Sequence, residues 1–279
     1  MSVKRKICIV TGTRAEYGIM SRLMHTLKDD DRVNLQIIAT NMHLSPEFGM
    51  TINEIEADGF KIDKKVEMLL SSDTPTGTVK SMGLASIGFA DAYAELSPDL
   101  IVILGDRYEM LAAASAALIF GIPVAHLYGG EITEGAYDDA IRHAITKLSY
   151  LHFTSTEEYR HRVIQMGESP KRVYWVGALG ADNISNSTIM PLPELEKSIG
   201  ADLGNSFLLV TFHPVTKEPG HAEAQTIALL SALEEVIDRH NVLFTMPNSD
   251  TDGRIVAKLI SDWVKDLSLI HISEPTRPY

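Results

Sequence analysis

Short apolar runs rich in β-branched residues alternate with longer helical patterns, and this alternation constrains the fold of the chain more than any other feature. Five such runs are predicted to be buried strands: residues 6–12, 33–40, 100–106, 122–128 and 150–156. Between two of these strands, apolar residues recur every three or four positions, as they do on one face of a helix. They are Met82, Ala85, Phe89, Tyr93 and Leu96. Strands that are apolar on both faces and separated by helices are typical of a parallel sheet covered on both sides. The sequence therefore predicts an α/β fold.

A second strand–helix rhythm follows a segment that carries Pro191, Pro193, Gly200 and Gly204 and is typical of a linker. Its predicted order is strand, helix, strand, helix, at residues 206–212, 222–240, 242–247 and 253–264. Two strands and two helices leave apolar surface without a partner, so this second doubly wound domain is predicted to be incomplete. The predicted boundaries are 1–188 for the first domain, 189–265 for the partial second domain and 266–279 for a tail outside the pattern.

Composition argues against several classes of function. The 279 residues carry a formal net charge of −12, whereas nucleic-acid binding needs a strongly basic face. The single cysteine, Cys8, excludes an internal disulfide and suits a reducing compartment, so we expect a cytoplasmic protein. The longest apolar run, 110–122, is shorter than a membrane span. No HExxH or paired-cysteine motif supports a metal site.

Ligands of an open parallel sheet bind beyond the carboxyl ends of its strands, so the residues after each strand are candidates for a site. After the first strand, Gly12 permits a tight turn, and Arg14 can bind a phosphate at the start of the next helix. The alternative is that Gly12 only turns the chain and Arg14 pairs with Glu16. The segment lacks the GxGxxG and Walker patterns, which disfavours a dinucleotide site.

Two further strand ends carry candidate groups. The run 100–106 ends at Asp106 and is followed by Arg107, which places a carboxylate and a guanidinium in the predicted crevice. The alternative role of Asp106 is to cap the helix over 107–120. In the second domain His213 follows the run at 206–212, and the alternative there is a histidine of a surface loop.

The segment 126–139 has the highest density of polar groups. It contains Glu131, and Asp138 lies in the first turn of the next helix, where the helix dipole favours anions. Asp138 and Arg142 are four residues apart and therefore share a helix face. Two carboxylates in different environments can divide the acid and base roles of a reaction. The alternatives are dipole compensation for the acidic residues and a core position for His126.

Read together, these stretches resemble the hydrolysing UDP-N-acetylglucosamine 2-epimerase family, which opens the synthesis of sialic-acid-type sugars. The matching stretches are TGTRAEYG (11–18), HLSPEFG (43–49), LGDRYEM (104–110), GGEITEG (129–135), 138–168, VGALGADNI (176–184) and FHPVT (212–216). The stretch 60–91 resembles most closely the branch that acts on 2,4-diacetamido-2,4,6-trideoxy sugars. The resemblance runs over about residues 4–264 and implies a GT-B-like fold of two Rossmann-like domains with a UDP-sugar between them.

The resemblance also implies a two-step reaction that needs no cofactor and no obligatory metal. A base removes the proton on the second sugar carbon as UDP leaves the first carbon, which gives a glycal, and water then adds to release the free manno-configured sugar. Carried over by position, Asp106 and Asp138 are the acid/base carboxylates, while Arg142 and His213 support the leaving nucleotide. Contacts with the UDP-sugar are implied for a further set: Gly12, Arg14, Tyr17, Arg107, His126 and Tyr128. A homodimer or homotetramer is implied as well.

The chain departs from the family in two places. Some relatives have a catalytic glutamate where this chain has Tyr128, and Glu131, three residues later, takes that role only if the loop is shifted. The resemblance ends near Asp266 although the family continues, so we expect a C-terminally truncated chain that is poorly active by itself. The alternatives to a hydrolysing epimerase are a catalytically impaired UDP-sugar-binding protein, a non-hydrolysing 2-epimerase and a glycosyltransferase of the same fold.

Overall fold

The computed structural model describes residues 3–72, 74–186, 189–214, 220–245, 247, 252–265 and 270–273. The chain divides into two units. The first comprises Met1–Leu70 and Thr76–Asn186, and the second comprises Ser71–Pro75 and Ser187–Tyr279. Within the described ranges, no helix combines the length and the apolar character that crossing a membrane requires.

The first unit is built on a parallel sheet. Its described strands, β1–β7, are Arg5–Thr11, Val33–Thr40, Lys64–Val66, Leu100–Leu104, Val124–Leu127, Leu151–Thr154 and Val173–Trp175. They pair in the order β3-β2-β1-β4-β5-β6-β7, and every pairing is parallel. From β1 the strands continue along the sheet in one direction to β2 and β3, and from β4 they continue in the other direction to β5, β6 and β7. This reversal opens a crevice at the carboxyl ends of those two strands.

Helices cover both faces of this sheet. In chain order, α1–α7 are Arg14–Asp29, Ile52–Ala57, Pro75–Leu96, Tyr108–Phe120, Asp138–Leu148, Glu157–Gln165 and Leu179–Asn186. The predicted stripe from Met82 to Leu96 lies on α3 and packs into one core cluster with Val10 of β1. Ile9, the preceding residue of β1, points to the opposite face and packs with Tyr17 of α1. Both faces of β1 are therefore buried, as its uninterrupted apolar run predicts.

The second unit contains a smaller parallel sheet. Its described strands are β8 (Phe207–Val210), β9 (Asn241–Thr245) and β10 (Ile270–Ser273), in the order β10-β9-β8. Its described helices are α8 (Leu192–Ile199), α9 (Ala222–Glu234) and α10 (Gly253–Val264). Phe244 of β9 packs edge-on against Trp263 of α10, with ring centroids 6.0 Å apart. Of the predicted tail at 266–279, only β10 lies within the described residues.

The loop between β4 and α4 differs from the sequence expectation. The predicted strand 100–106 ends at Leu104, and α4 begins at Tyr108 rather than at residue 107. Gly105 adopts a left-handed conformation with φ of +75°, which ends the extended strand. The N-cap of α4 is Arg107, so the expectation that Asp106 caps this helix is wrong. Asp106 is instead held in a loop at the crevice.

Candidate active site

The crevice brings together the segments that follow neighbouring strands. β1 pairs with β4, and β4 pairs with β5, so their carboxyl ends lie side by side. Gly12 follows β1, Asp106 follows β4 and Tyr128 follows β5. These are three of the strand ends at which the sequence pattern placed candidate groups.

The turn at Gly12 is held by a carboxylate. The amides of Gly12 and Thr13 donate to Glu16 Oε2 at 2.7 and 3.1 Å, and the Glu16 amide donates to Thr13 Oγ1 at 3.3 Å. This capping box begins α1. A Cβ atom on residue 12 would lie 2.5 Å from Glu109 Oε1, so only glycine allows this approach. Arg14 pairs with Glu54 at 3.1 Å, so the alternative pairing of Arg14 with Glu16 is wrong.

Two glutamates face each other across this turn. Glu16 and Glu109 are both buried, and Arg107 Nε donates to Glu109 Oε1 at 2.7 Å. The pKa of Glu16 is raised to about 8, mainly by burial and next by the negative charge of Glu109, against the opposing effect of Arg107. At neutral pH, Glu16 is therefore mainly a protonated acid, and it lies beside Glu109, which accepts from Arg107.

The raised pKa of Glu16 predicts that stability falls as pH rises from about 7.5 to about 8.5. In this window the unfolded chain has already lost the Glu16 proton that the folded protein retains, so unfolding becomes easier with pH. The pKa values of His43 and His126 are lowered to about 4, mainly by burial, so both rings are neutral in the folded protein. In the unfolded chain these histidines take up protons below about pH 7, which makes stability rise with pH there, so the Glu16 effect is measured above that range. Urea unfolding should show a decline of up to about 1.4 kcal/mol per pH unit. Glu16→Gln should flatten it, and a wild-type stability that does not change over this window would contradict the prediction.

Asp106 forms a buried ion pair with Arg142 of α5. Arg142 is 5% exposed, and its Nη2 donates to Asp106 Oδ2 and, at 2.9 Å, to Thr133 Oγ1. Its Nη1 lies 3.8 Å from Asp139 Oδ1. Burial lowers the pKa of the guanidinium. Within the described part of the chain, Arg142 Nε and Nη1 have no hydrogen-bond partner although they are buried, so two donors remain for an anion.

The other two predicted carboxylates, Asp138 and Glu131, lie at the same edge of the sheet as Asp106. Asp138 is the first residue of α5, one turn before Arg142, so it shares a helix face with the guanidinium that binds Asp106. Glu131 lies in the loop between β5 and α5, and its Oε1 accepts a hydrogen bond from Ser155 at 2.5 Å. Among the described residues, no group of three or more potential metal-ligating side chains occurs.

Three residues expected to contact the sugar nucleotide have protein partners. Tyr17 is fully buried, and its hydroxyl donates to Asp58. His126 is fully buried, with partners for both ring nitrogens. The half-buried Tyr128 has a φ of +66°, and its hydroxyl accepts from the amide of Gly180, at the start of α7, at 3.3 Å. These contacts favour structural roles for Tyr17 and His126 over the expected contact with a ligand.

The sequence pattern missed two side chains of this site, and one residue that it predicted for the site lies in the second unit. Glu16 and Glu109 were not assigned roles, although the Thr13–Glu16 spacing is the signature of a capping box. Glu109 has no comparable signal, because the turn at Gly12 and Glu16 that it faces follows another strand. His213 lies in the second unit, after β8, and is exposed there.

Comparisons with known proteins agree on one family. The family model for UDP-N-acetylglucosamine 2-epimerase matches residues 25–277. A GDP/UDP-N,N'-diacetylbacillosamine 2-epimerase (hydrolyzing) of Campylobacter jejuni is 44% identical over 260 residues, which are 93% of this chain and 67% of that protein. A UDP-N,N'-diacetylbacillosamine 2-epimerase (hydrolyzing) of Legionella pneumophila is 36% identical over 274 residues, 97% of this chain and 72% of that protein.

The fold is also shared with a solved structure. The UDP-GlcNAc 2-epimerase of Methanocaldococcus jannaschii, in complex with UDP-GlcNAc and UDP, matches with a TM-score of 0.77 at 20% identity. The match covers 98% of this chain and 74% of that one. This likeness confirms the predicted GT-B-like α/β fold.

Proposed function

Because the chain belongs to the UDP-N-acetylglucosamine 2-epimerase family, we propose that it is a hydrolysing 2-epimerase of sialic- or legionaminic-acid-type sugar synthesis. It converts a UDP-linked 2-acetamido sugar and water to UDP and the free manno-configured sugar. The relatives at 44% and 36% identity favour UDP-N,N'-diacetylbacillosamine as the substrate over UDP-N-acetylglucosamine. The observation that carries the proposal is the Asp106–Arg142 pair at the crevice.

The reaction needs a base close to a cation. The proton on the second sugar carbon is weakly acidic, so a positioned carboxylate must take it while UDP leaves, and an acid must return a proton. We assign these two roles to Asp106 and Asp138, because Asp106 contacts Arg142 and Asp138 shares its helix face. The charge that develops on the leaving diphosphate is met by Arg142, whose Nε and Nη1 donors remain unpaired among the described residues.

Four further residues are assigned to binding the nucleotide or the sugar. Arg14 and Arg107 supply positive charge beside Gly12 at the crevice, although each already pairs with a glutamate, Glu54 and Glu109 respectively. We assign His213 to support of the leaving nucleotide, and Glu131, which is held by Ser155, to the sugar site.

A second candidate function is a UDP-sugar-binding protein with impaired catalysis. The observation that favours it is Tyr128, which stands where some relatives have a catalytic glutamate and whose hydroxyl is occupied by the Gly180 amide. Burial raises the pKa of this phenol, so it is a poor base at neutral pH. This candidate binds UDP without turnover, and that binding survives Asp106→Asn.

Proton NMR of the reaction in heavy water tests the proposal. This chain, and a version completed with the part of the Campylobacter relative that the match does not cover, each receive UDP-N-acetylglucosamine or its 2,4-diacetamido trideoxy counterpart. We expect UDP and a free manno sugar that carries deuterium at its second carbon, faster with the diacetamido substrate. A product that keeps its UDP would identify a non-hydrolysing epimerase, and UDP binding without turnover would favour the binding protein.

The partners and location are part of the proposal. The protein acts in the cytoplasm as a homo-oligomer. It assembles through the apolar residues exposed on α3 and α4, which include Ile87, 65% exposed, and Ile119, 84% exposed.

The double variant Ile87→Lys/Ile119→Lys should shift the sedimenting species from dimer or tetramer to monomer. Ile184→Lys, on α7 at 64% exposure, is the matched control and should leave assembly unchanged. Identical sedimentation of wild type and double variant would reject this surface.

A further inference from the structure

His126 links two segments that carry the carboxylates of the site. It lies on β5, and its Nε2 contacts the carbonyl oxygen of Gly105 at 2.7 Å, one residue before Asp106. Its Nδ1 contacts Thr146 Oγ1 on α5 at 3.1 Å. The imidazole therefore spans from the β4–α4 loop to the helix that begins at Asp138.

The chemistry of the partners fixes the tautomer of this ring. The Gly105 carbonyl can only accept a hydrogen bond, so Nε2 must carry the proton. Nδ1 is then an acceptor, and the Thr146 hydroxyl donates to it. Burial lowers the pKa of His126 to about 4, and the Gly105 hydrogen bond only partly opposes this, so the ring stays neutral at the pH of the cytoplasm.

The surrounding packing leaves this bridge little freedom. His126 and Thr146 are fully buried. A Cβ atom on residue 129 would lie 3.0 Å from both His126 Nδ1 and Thr146 Oγ1, so the glycine there allows the loop after β5 to close over the bridge. The Gly105 amide also donates to Leu127 O at 3.0 Å, which ties the loop to β5 a second time.

Thr146 lies on the same helix face as the site. Asp138, Arg142 and Thr146 are spaced by four residues, so one face of α5 carries the carboxylate, the guanidinium and the hydroxyl. The loop and the helix are therefore joined twice, by the Asp106–Arg142 ion pair at the crevice and by the His126 bridge one turn deeper.

We infer that His126, with Thr146, is a positioning residue that sets the spacing between Asp106 on the loop and Asp138 on the helix. This inference rests on the proposed function, because the spacing matters only if both carboxylates serve one reaction. The ring contacts neither substrate nor leaving group. It affects catalysis only by holding Gly105, which precedes Asp106, and Thr146 of α5 in place.

The pair Thr146→Val and Thr146→Ser tests this role. Valine has nearly the shape of threonine but no donor for Nδ1, whereas serine keeps the hydroxyl. In the heavy-water assay, Thr146→Val should lower kcat by about tenfold to a hundredfold with KM within about twofold, since a misplacement of about 1 Å costs on the order of a hundredfold. Thr146→Ser should stay within about threefold of wild type. Equal kcat for folded Thr146→Val and Thr146→Ser would overturn the inference.

Amide hydrogen exchange supplies a readout that does not depend on turnover. Thr146→Val should raise exchange at residues 105–107 and in the first turn of α5 by about tenfold or more, while Thr146→Ser should not. If the wild type releases no UDP, the proposed function fails, yet this difference still shows whether the bridge joins loop and helix. Unchanged exchange in Thr146→Val would refute the bridge even in an active enzyme. If Thr146→Val fails to fold, His126→Leu takes its place, and His126→Gln, which retains a donor and an acceptor, takes the place of Thr146→Ser. Equal exchange in these two variants would refute the bridge.

Discussion

Asp106→Asn is expected to lower kcat for release of UDP by about 10²–10⁴-fold, the range typical of a lost general acid or base. The amide still accepts a hydrogen bond from Arg142, so the loop should keep its position, but it can neither take nor return the proton on the second sugar carbon. KM should change only severalfold, because Asp106 itself is not assigned to contact with the nucleotide and its amide replacement still holds Arg142. Rates measured by UDP release, with deuterium incorporation followed by NMR, check this result.

Asp139→Asn is the matched control for this substitution. Both carboxylates lie near the Arg142 guanidinium, Asp106 as a direct hydrogen-bond partner and Asp139 at 3.8 Å, and their side chains are similarly exposed, at 23% and 31%. If charge near Arg142 were all that mattered, the two variants would lose similar activity. We expect less than a tenfold loss for Asp139→Asn. Comparable losses in both variants would remove Asp106 from the chemistry.

Gly130→Ala is expected to destabilise the first unit by about 3–5 kcal/mol. Gly130 has a φ of +83°, and an added Cβ would lie 2.5 Å from the backbone oxygen of Tyr159 and 2.9 Å from Val163 Cγ2. The backbone of α6 cannot move aside as a flexible side chain would. The Gly130 carbonyl also accepts from Arg162 Nη1 at 2.5 Å, which holds this loop against α6. Urea unfolding followed by circular dichroism measures the change.

Gly177→Ala separates backbone strain from the steric clash. Gly177 has nearly the same φ, +85°, but among the described residues, its chain neighbours aside, no atom lies within 4 Å of its Cβ position. Its substitution should cost only about 1–2 kcal/mol, the penalty of a left-handed conformation for a residue with a Cβ. If both variants lost the same stability, the close approach of Gly130 to α6 would have no energetic consequence.

The strands of the sheet were predictable where they are long and apolar. β2 spans Val33–Thr40 as its pattern predicts, and β1 differs from its prediction by one residue at each end. β3 and β7 were missed because each has only three residues, too few for a periodic pattern. Both lie at the edges of the sheet, where pairing with one neighbour is enough to define a short strand.

The candidate site was predictable only in part. Asp106, Asp138 and Arg142 were predicted as site residues because parallel strands place their carboxyl ends together and a helix repeats its face every four residues. The Asp106–Arg142 pair itself was not foreseen, since the two residues are 36 positions apart. His126 was expected at the ligand, but its place on β5 turns it into the core, where it meets Thr146.

By itself, the sequence determined the α/β class, the order of the main strands, the turn at Gly12 and the family, because periodicity and motif spacing are local properties of the chain. The tertiary structure decided which buried groups are partners. Glu16 meets Glu109, and His126 joins Gly105 to Thr146, because the register of strands and helices brings distant residues within hydrogen-bond or electrostatic range. Burial then raises the pKa of Glu16 and lowers that of His126, because a charged group loses its hydration where the chain packs around it.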